Sequence, residues 1–337
     1  MKLFDYKGGY FVLKILVTGA NGFVGSHVVE ALLEENHRVI CAVRETSNLK
    51  WIKILPLEYR YGNLNDKNFL ETAVQNVDGI VHCAGVVRAM TKDEYFRANV
   101  DNSKHLCEAI IKNNPYLKKF VFISSQAAMG PAGVDGTKKI SDKANPVSDY
   151  GLSKITAEVE IKKTLSGKVP YTILRPAAIY GPRDKDIFIF FNLVHKHLRP
   201  LTLTKRFLHL VYVKDVAKAV LACLENKKSD NNTYYLANSN AYTWSDIGSI
   251  IASSVGIKAI PFPIPDFIFK IAGLMAETIS RITKKPAVLN GQKITEMLQK
   301  YWTADTKPAE NDLNLKFTSL EVASKITYNW YLENKFF

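Results

Sequence analysis

Short apolar runs alternate with helical patterns through the first half of the chain. Ile15 to Val17 is an apolar run followed by Gly19, Gly22 and Gly25, then by a pattern in which Val28, Val29, Leu32 and Leu33 share one helical face. A second run, Val39 to Val43, closes a β-α-β unit of about 30 residues, the length expected of a parallel crossover. Leu57 to Leu64 reads as a third strand, with Asn65 as N-cap of the helix opened by Asp66, Lys67 and Phe69. Gly79 to His82 is a fourth strand, Glu94 to Asn113 a longer helix, and Lys118 to Ser125 a fifth strand. A helix carrying Tyr150 to Lys154 continues to about Lys163, and Tyr171 to Arg175 is the sixth strand. This alternation predicts an α/β chain on a doubly wound parallel sheet. From Pro176 onward the pattern is less regular, although Thr243 followed by Asp246 reads as a helix cap.

Composition narrows the class. With 337 residues and 47% hydrophobic content the chain can bury a substantial core, as one large domain or two. Phe262 to Ile279, the most apolar late segment, is interrupted by Asp266, Lys270 and Glu277, so no membrane span is expected. The N-terminus carries no recognisable secretion signal, and a cytoplasmic location is expected. Cys41, Cys83, Cys107 and Cys223 lack metal-type spacing and read as reduced thiols, so no metal is expected. The net charge of +13 comes from lysines spread along the chain, without a helix-turn-helix, zinc-finger or RNA-binding motif. It reads as a basic solvated surface whose field would favour an acidic ligand, not as a nucleic-acid interface.

The glycine turn carries the first chemistry. A strand, a turn with Gly19, Gly22 and Gly25, and a helix make a pyrophosphate cradle: the first glycine for the tight turn, the second for close backbone approach, the third for helix packing. The helix N-terminus aims free N–H groups at the anion. The second strand ends on Val43 and Arg44, where an NAD site usually presents an acidic residue, and Thr46, Ser47, Asn48 and Lys50 follow. A cation there suits a 2′-phosphate, so NADP(H) is favoured, with NAD(H) the alternative; Arg44 could instead stack on adenine or be solvated. The candidate cofactor residues are Gly19, Asn21, Gly22, Phe23, Val24, Gly25, Arg44 and Lys50, with Asn63, Leu64, Ala84 and Gly85 at later strand ends.

Catalytic chemistry enters at Ser124, Ser125 and the stretch Tyr150 to Lys154. Tyrosine and lysine at i and i+4 share a helix face, and a nearby ammonium is expected to lower the phenol pKa toward the working pH. A hydroxyl from the preceding strand end could hold a substrate oxygen in the same place.

The combination of Thr18 to Gly25, Ser125 five residues before Gly130, Tyr150-x-x-x-Lys154 and Arg175 to Pro182 resembles the extended short-chain dehydrogenase/reductases over nearly the whole chain after Leu13. The resemblance implies a Rossmann sheet with a smaller, discontinuous C-terminal substrate lobe. It implies that Tyr150 exchanges the proton, that Lys154 binds the nicotinamide ribose and tunes Tyr150, and that Ser125 orients the substrate oxygen. It places Asn99 in the helix supporting the lysine, and Pro176, Ala177 and Ile179 beside the nicotinamide. Asn63 stands where an aspartate is more usual. His209 to Val213 and the helix from Asp215 to Leu224 resemble the segment that returns to the nucleotide domain. The domains expected are an extension over 1–13, a nucleotide-binding domain over 14–175 with the return at about 207–225, and a lobe from 176–206 and 226–337. Thr233 to Ala237 would open the substrate side, and the substrate would lie in the cleft between lobe and sheet. A homodimer through the helices carrying Asn99 and Tyr150 is implied by resemblance alone.

Two features address the substrate. Sugar-nucleotide members typically supply an asparagine after the sixth strand, where this chain has Ala178. Phe262 to Ile282, with 284–293 and the stretch from Trp302 to Asp305, looks like the 3β-hydroxysteroid dehydrogenase and dihydroflavonol-reductase branch. Phe267, Ile268, Ile271, Leu274, Met275 and Ile279 would line an apolar pocket, or else form the lobe's core. The leading expectation is an NADP(H)-dependent oxidoreductase interconverting a ketone and a secondary alcohol on a hydrophobic or acyl-type small molecule. The alternatives are an NDP-sugar epimerase or dehydratase holding NAD tightly, and a non-catalytic NADP-sensing regulator, against which the Ser, Tyr and Lys argue.

Overall fold

Seven parallel strands form the central sheet of the computed structural model, which describes residues 6–7, 10–134, 136–202, 204–283, 286–287 and 290–337. Of the stretches singled out in the sequence, 1–5 and 8–9 of the N-terminal extension and 284, 285, 288 and 289 of 284–293 lie outside the described residues. The sheet strands in chain order begin with β1 (Lys14–Thr18), β2 (Arg38–Val43), β3 (Glu58–Tyr61), β4 (Gly79–His82), β5 (Lys119–Ile123) and β6 (Tyr171–Pro176). After β7 (Ala178–Tyr180), β8 (Leu198–Thr202) and β9 (Leu210–Tyr212), which lie outside it, β10 (Asn232–Leu236) completes the sheet. The spatial order is β3-β2-β1-β4-β5-β6-β10. The chain order reverses between β1 and β4, which opens a crevice at the carboxyl ends of the strands.

Both faces of the sheet are buried, as a parallel sheet requires. Successive residues of β1 serve opposite cores: Ile15 and Val17 join α1 (Phe23–Glu34) and α7 (Val213–Glu225), whereas Leu16 joins α4 (Asn102–Asn113) and α5 (Asp149–Leu165). Val28, Val29 and Leu32 of α1 are buried, as their spacing predicts. The long helix anticipated from Glu94 is α3 (Lys92–Phe96) and α4 joined by a π-helical turn, Arg97–Asp101.

Two expectations are corrected. Asp66, not Asn65, caps α2 (Lys67–Ala73), its carboxylate accepting from the N–H groups of Asn68 and Phe69 at 3.0 and 3.3 Å. Thr233 to Ala237 does not open the substrate side: residues 232–236 pair in parallel with β6 as the last strand of the sheet, with Tyr234, Tyr235 and Leu236 all buried. Three consecutive buried residues suit a strand covered on both faces, which a local reading does not separate from the lobe's own strands.

The smaller lobe packs α6 (Phe188–His195), α8 (Trp244–Ser254) and α12 (Leu320–Glu333) around Phe191, Val194, Ile247, Ile251 and Tyr331. Thr243 and Asp246 form the anticipated capping box at the start of α8. Also in this part of the chain are β11 (Ile260–Ile264), paired with β8, then α9 (Asp266–Thr283), α10 (Gly291–Met297) and α11 (Lys307–Asp312). Among the described residues no helix is long and apolar enough to cross a membrane, and no group of histidine, cysteine and carboxylate side chains could hold a metal ion.

Candidate active site

The turn after β1 needs its glycines for different reasons. Gly19 has φ +68° and touches the next strand end so closely that a Cβ would lie 2.6 Å from the Ala84 nitrogen. A Cβ on Gly25 would lie 2.1 Å from the Gly19 carbonyl oxygen, so α1 can sit on the turn only without one. Gly22 faces open space, its Cβ position meeting only the Gly19 oxygen at 3.2 Å. Gly22 is also the N-cap of α1 and supplies no side-chain cap, so the first-turn amides of Phe23 and Val24 face that space. An open cradle in front of uncapped helix amides fits a dinucleotide pyrophosphate.

The other candidates reach the same edge because the strands are parallel. Arg44 follows β2, Asn63 and Leu64 follow β3, Ala84 and Gly85 follow β4, Ser125 follows β5, and Pro176, Ala177 and Ile179 lie at the end of β6 and in β7. Arg44 is exposed, and its guanidinium has no ion-pair partner among the described residues. The Asn21 side chain donates to the Asn48 carbonyl at 3.4 Å, tying the glycine turn to the loop beyond Arg44. Lys50 lies across the ring of Trp51 at 3.9 Å. Asn63 is engaged in its own turn, accepting from Asn65 N at its side chain and from Asp66 N at its carbonyl.

Tyr150 and Ser125 are brought together by backbone contact. Ser148 caps α5 by accepting from Gly151 N, which puts Tyr150 in the first helical turn. Gly151 lies so close to the short turn Gln126–Ala128 that a Cβ would be 2.4 Å from the Ala127 oxygen. Ser125 accepts from Ala127 N at 3.1 Å and lines the same cavity as the Tyr150 phenol. Lys154, one turn further along, is 5% exposed and donates to the Ile123 carbonyl at 2.7 Å, its ammonium 4.3 Å from the Phe122 ring centroid. Burial pushes its pKa down to about 8.

The expected lowering of the tyrosine pKa is not found. Burial pushes the Tyr150 phenol up to about 12, and the Ser125 hydroxyl only partly opposes it. The Lys154 ammonium is held at the Ile123 carbonyl of β5 and is not among the groups that shift the phenol. At neutral pH this arrangement keeps Tyr150 protonated.

Asn99 sits in the middle of the π-helical turn and is buried. Its amide nitrogen donates to Val86 O at 3.0 Å and Ser153 Oγ at 2.9 Å, while its oxygen accepts from Val86 N at 2.8 Å. Asn99 therefore ties α5 to the end of β4, and a Cβ at Gly85 would meet its oxygen at 2.9 Å.

Three features escaped the sequence reading. The first is a buried chain from the glycine strand to Asn99: Ala84 N donates to Thr18 Oγ1, which contacts His82 Nδ1 at 2.6 Å, while His82 Nε2 contacts Ser103 Oγ at 2.9 Å. Ser103 donates onward to the Asn99 carbonyl, so His82 carries its proton on Nε2. Burial holds it neutral, with a pKa of about 3. The second is Glu158, at i+4 from Lys154, which grips Arg175 with both oxygens at 3.0 and 2.6 Å and accepts from Ser124. The i, i+4, i+8 series Tyr150, Lys154, Glu158 was visible along α5, but its partner on β6 was not. The third is Gln126, buried, with an amide nitrogen lacking any partner in the described structure.

Ser125, Gln126 and Tyr150 line a cavity of about 380 Å³ together with Ile187, Phe190, Leu193, Trp244, Ile264 and Phe269. The charged side chains that line it are paired within the protein: Arg206 with Asp266, Lys293 with Glu296, and Asp186 with Arg88. His209 also lines it and is neutral, burial pushing its pKa down to about 4 while Nδ1 accepts from Ala304 N. The apolar residues expected to line a pocket or form a core do neither: Phe267, Ile268, Ile271, Leu274, Met275 and Ile279 are exposed, and Phe269 is the α9 residue that enters the cavity. Sequence periodicity identified the apolar stripe but not which way it turns.

A family model described as the NAD dependent epimerase/dehydratase family matches residues 15–237. Among curated proteins, a ceramide reductase of Caulobacter vibrioides is 26% identical over 319 residues, covering 94% of each chain. A UDP-glucose 4-epimerase of Vibrio cholerae is 28% identical over 287 residues, covering 80% of this chain and 85% of its own. Among solved structures, the UDP-glucose 4-epimerase of Thermotoga maritima with UDP-glucose superposes with a TM-score of 0.78 over 96% of this chain and 100% of its own, at 22% identity.

Proposed function

The chain belongs to the NAD dependent epimerase/dehydratase family and is an NAD(P)-dependent enzyme of the extended short-chain type, and from that premise we propose that it is an NADP(H)-dependent reductase of ketones on hydrophobic, acyl-type molecules. The observation that carries the reading is the cavity. Its walls are apolar, and the cations that line it are already neutralised by Asp266 and Glu296. A sugar diphosphate would need unpaired cations there for its phosphates, and Ala178, which also lines the cavity, supplies no polar group in its side chain. An apolar substrate needs only the walls and a few polar groups at the reacting end. The ceramide reductase relative, similar over nearly its full length, supports a lipid-like substrate.

When bound, the nicotinamide cofactor supplies or accepts the hydride at the substrate carbon. Gly22 and the first-turn amides of α1 would hold its pyrophosphate, and Arg44 a 2′-phosphate. Ser125 is positioned to hold the substrate oxygen, and Tyr150, kept protonated by burial, gives that oxygen its proton during reduction. Lys154 and Asn99 position α5 against the strand ends.

The test is a binding titration with NADPH and NADH after removal of retained cofactor, followed by NADPH consumption with long-chain ketones. Tight NADPH, weak NADH and loss of turnover by about a hundredfold or more in Tyr150→Phe are expected. Retained NAD with no preference for NADPH would move the sugar-nucleotide reading to first place.

A further inference from the structure

Helix α9 presents apolar residues on two opposite sides. On one, Phe269 enters the cavity and packs on Trp244 with ring centroids 5.2 Å apart, and Gly273 lies against Ile294. On the other, Phe267, Ile271, Leu274, Met275 and Ile282 are exposed, Leu274 by 68% and Ile282 by 77%. Their spacing keeps them on one stripe along the helix. The neighbouring strand β11 continues the apolar surface, with Ile260 67% and Phe262 49% exposed. A contiguous apolar face of this kind is rare on a monomer without a partner.

We propose that this stripe docks the protein on the surface of an anionic lipid bilayer, with α9 lying in the plane of the interface. Charge complementarity selects this occupant. Exposed Lys196 and Lys258 flank Ile260 at one end of the stripe, and exposed Lys205 lies between Thr204 and Arg206, both of which bond Asp266 at the start of α9. Asp266, at the first turn, is neutralised by Arg206. An apolar stripe flanked by exposed cations is the pattern of helices that lie on anionic membranes. A second copy of the chain paired through this end of the stripe would bring the same lysines together, which disfavours it. The charges at Asp266, Lys270, Glu277 and Arg281 prevent the helix from crossing the bilayer.

Docking would set the cavity close to the lipid, since Ile264 and Phe269, on the same two elements as the stripe, line the cavity, as does the 58% exposed Ile189. This link to substrate rests on the proposed reduction of apolar ketones; the docking itself does not.

The experiment is co-sedimentation of the full chain with vesicles of phosphatidylcholine containing phosphatidylglycerol, and with vesicles of phosphatidylcholine alone. Binding to the anionic vesicles is expected, weakened by salt and about tenfold weaker in the triple variant Ile271→Ser, Leu274→Ser, Met275→Ser. NADPH titration of both proteins checks that the variant is folded and reads the proposed activity separately. Absence of binding by the unaltered chain, or equal binding by a folded variant, overturns the proposal. So does a dimer that the variant dissolves while the unaltered chain ignores vesicles, which would assign the stripe to a second copy. Failure of NADPH binding with vesicle binding intact would overturn the proposed reductase and leave the docking surface standing.

Discussion

Lys154 donates to the carbonyl oxygen of Ile123 at 2.7 Å, one helical turn beyond Tyr150. The ammonium is thereby anchored to the end of β5, the strand that also delivers Ser125. Burial lowers its pKa from 10.5 to about 8, so the folded state favours the neutral amine more than the unfolded chain does. The stability contributed is complete above 10.5 and is lost as the pH falls through about 8. Urea unfolding of the cofactor-free protein should therefore show stability rising by up to about 3 kcal/mol from pH 7.5 to 10.5 relative to Lys154→Met. Parallel curves for the two proteins would contradict this.

Gly22 and Gly25 should fail in different ways. Gly25→Ala forces a methyl against the Gly19 oxygen and should cost about 1–3 kcal/mol of stability, read as a fall in Tm. Gly22→Ala puts its methyl into the open cradle and should leave Tm nearly unchanged while weakening NADPH binding about tenfold. Equal nucleotide affinity in Gly22→Ala would remove the pyrophosphate from that position.

Gln126, in the lining of the cavity, holds a buried amide nitrogen with no partner. Gln126→Leu should raise Tm slightly, because an unsatisfied donor is removed, while raising KM for a reduced ketone about fivefold, the worth of one hydrogen bond. A KM equal to that of the unaltered enzyme would show that substrate never meets this amide.

Glu158 neutralises Arg175 in a site where both are nearly inaccessible. Glu158→Gln leaves a buried guanidinium without its counter-charge and should cost about 3–5 kcal/mol in urea unfolding. The double variant Glu158→Gln, Arg175→Met should recover much of that loss; additive losses would show that the two groups do not act as a pair.

Local pattern carried most of the framework. The strand, glycine turn and helix from Lys14 to Glu34, the pairing of Tyr150 with Lys154 on one helix, and the Thr243 cap are short-range features, set by backbone sterics and by a repeat of 3.6 residues. Parallel strands then bring Arg44, Ala84, Ser125 and Ala177 to one edge without any further information. What local pattern could not supply were relationships across tens of residues. Residues 232–236 joined the sheet because an open edge of β6 was available. Lys154 turned to Ile123, and Tyr150 came to stand beside Ser125, because of how α5 packs on β5 and the turn that follows it. The apolar stripe of α9 was legible as a stripe, but a period shows only that one side is apolar. Whether that side meets the cavity, the core or the outside was decided by the packing of Phe269 and Gly273, and so by the tertiary structure alone.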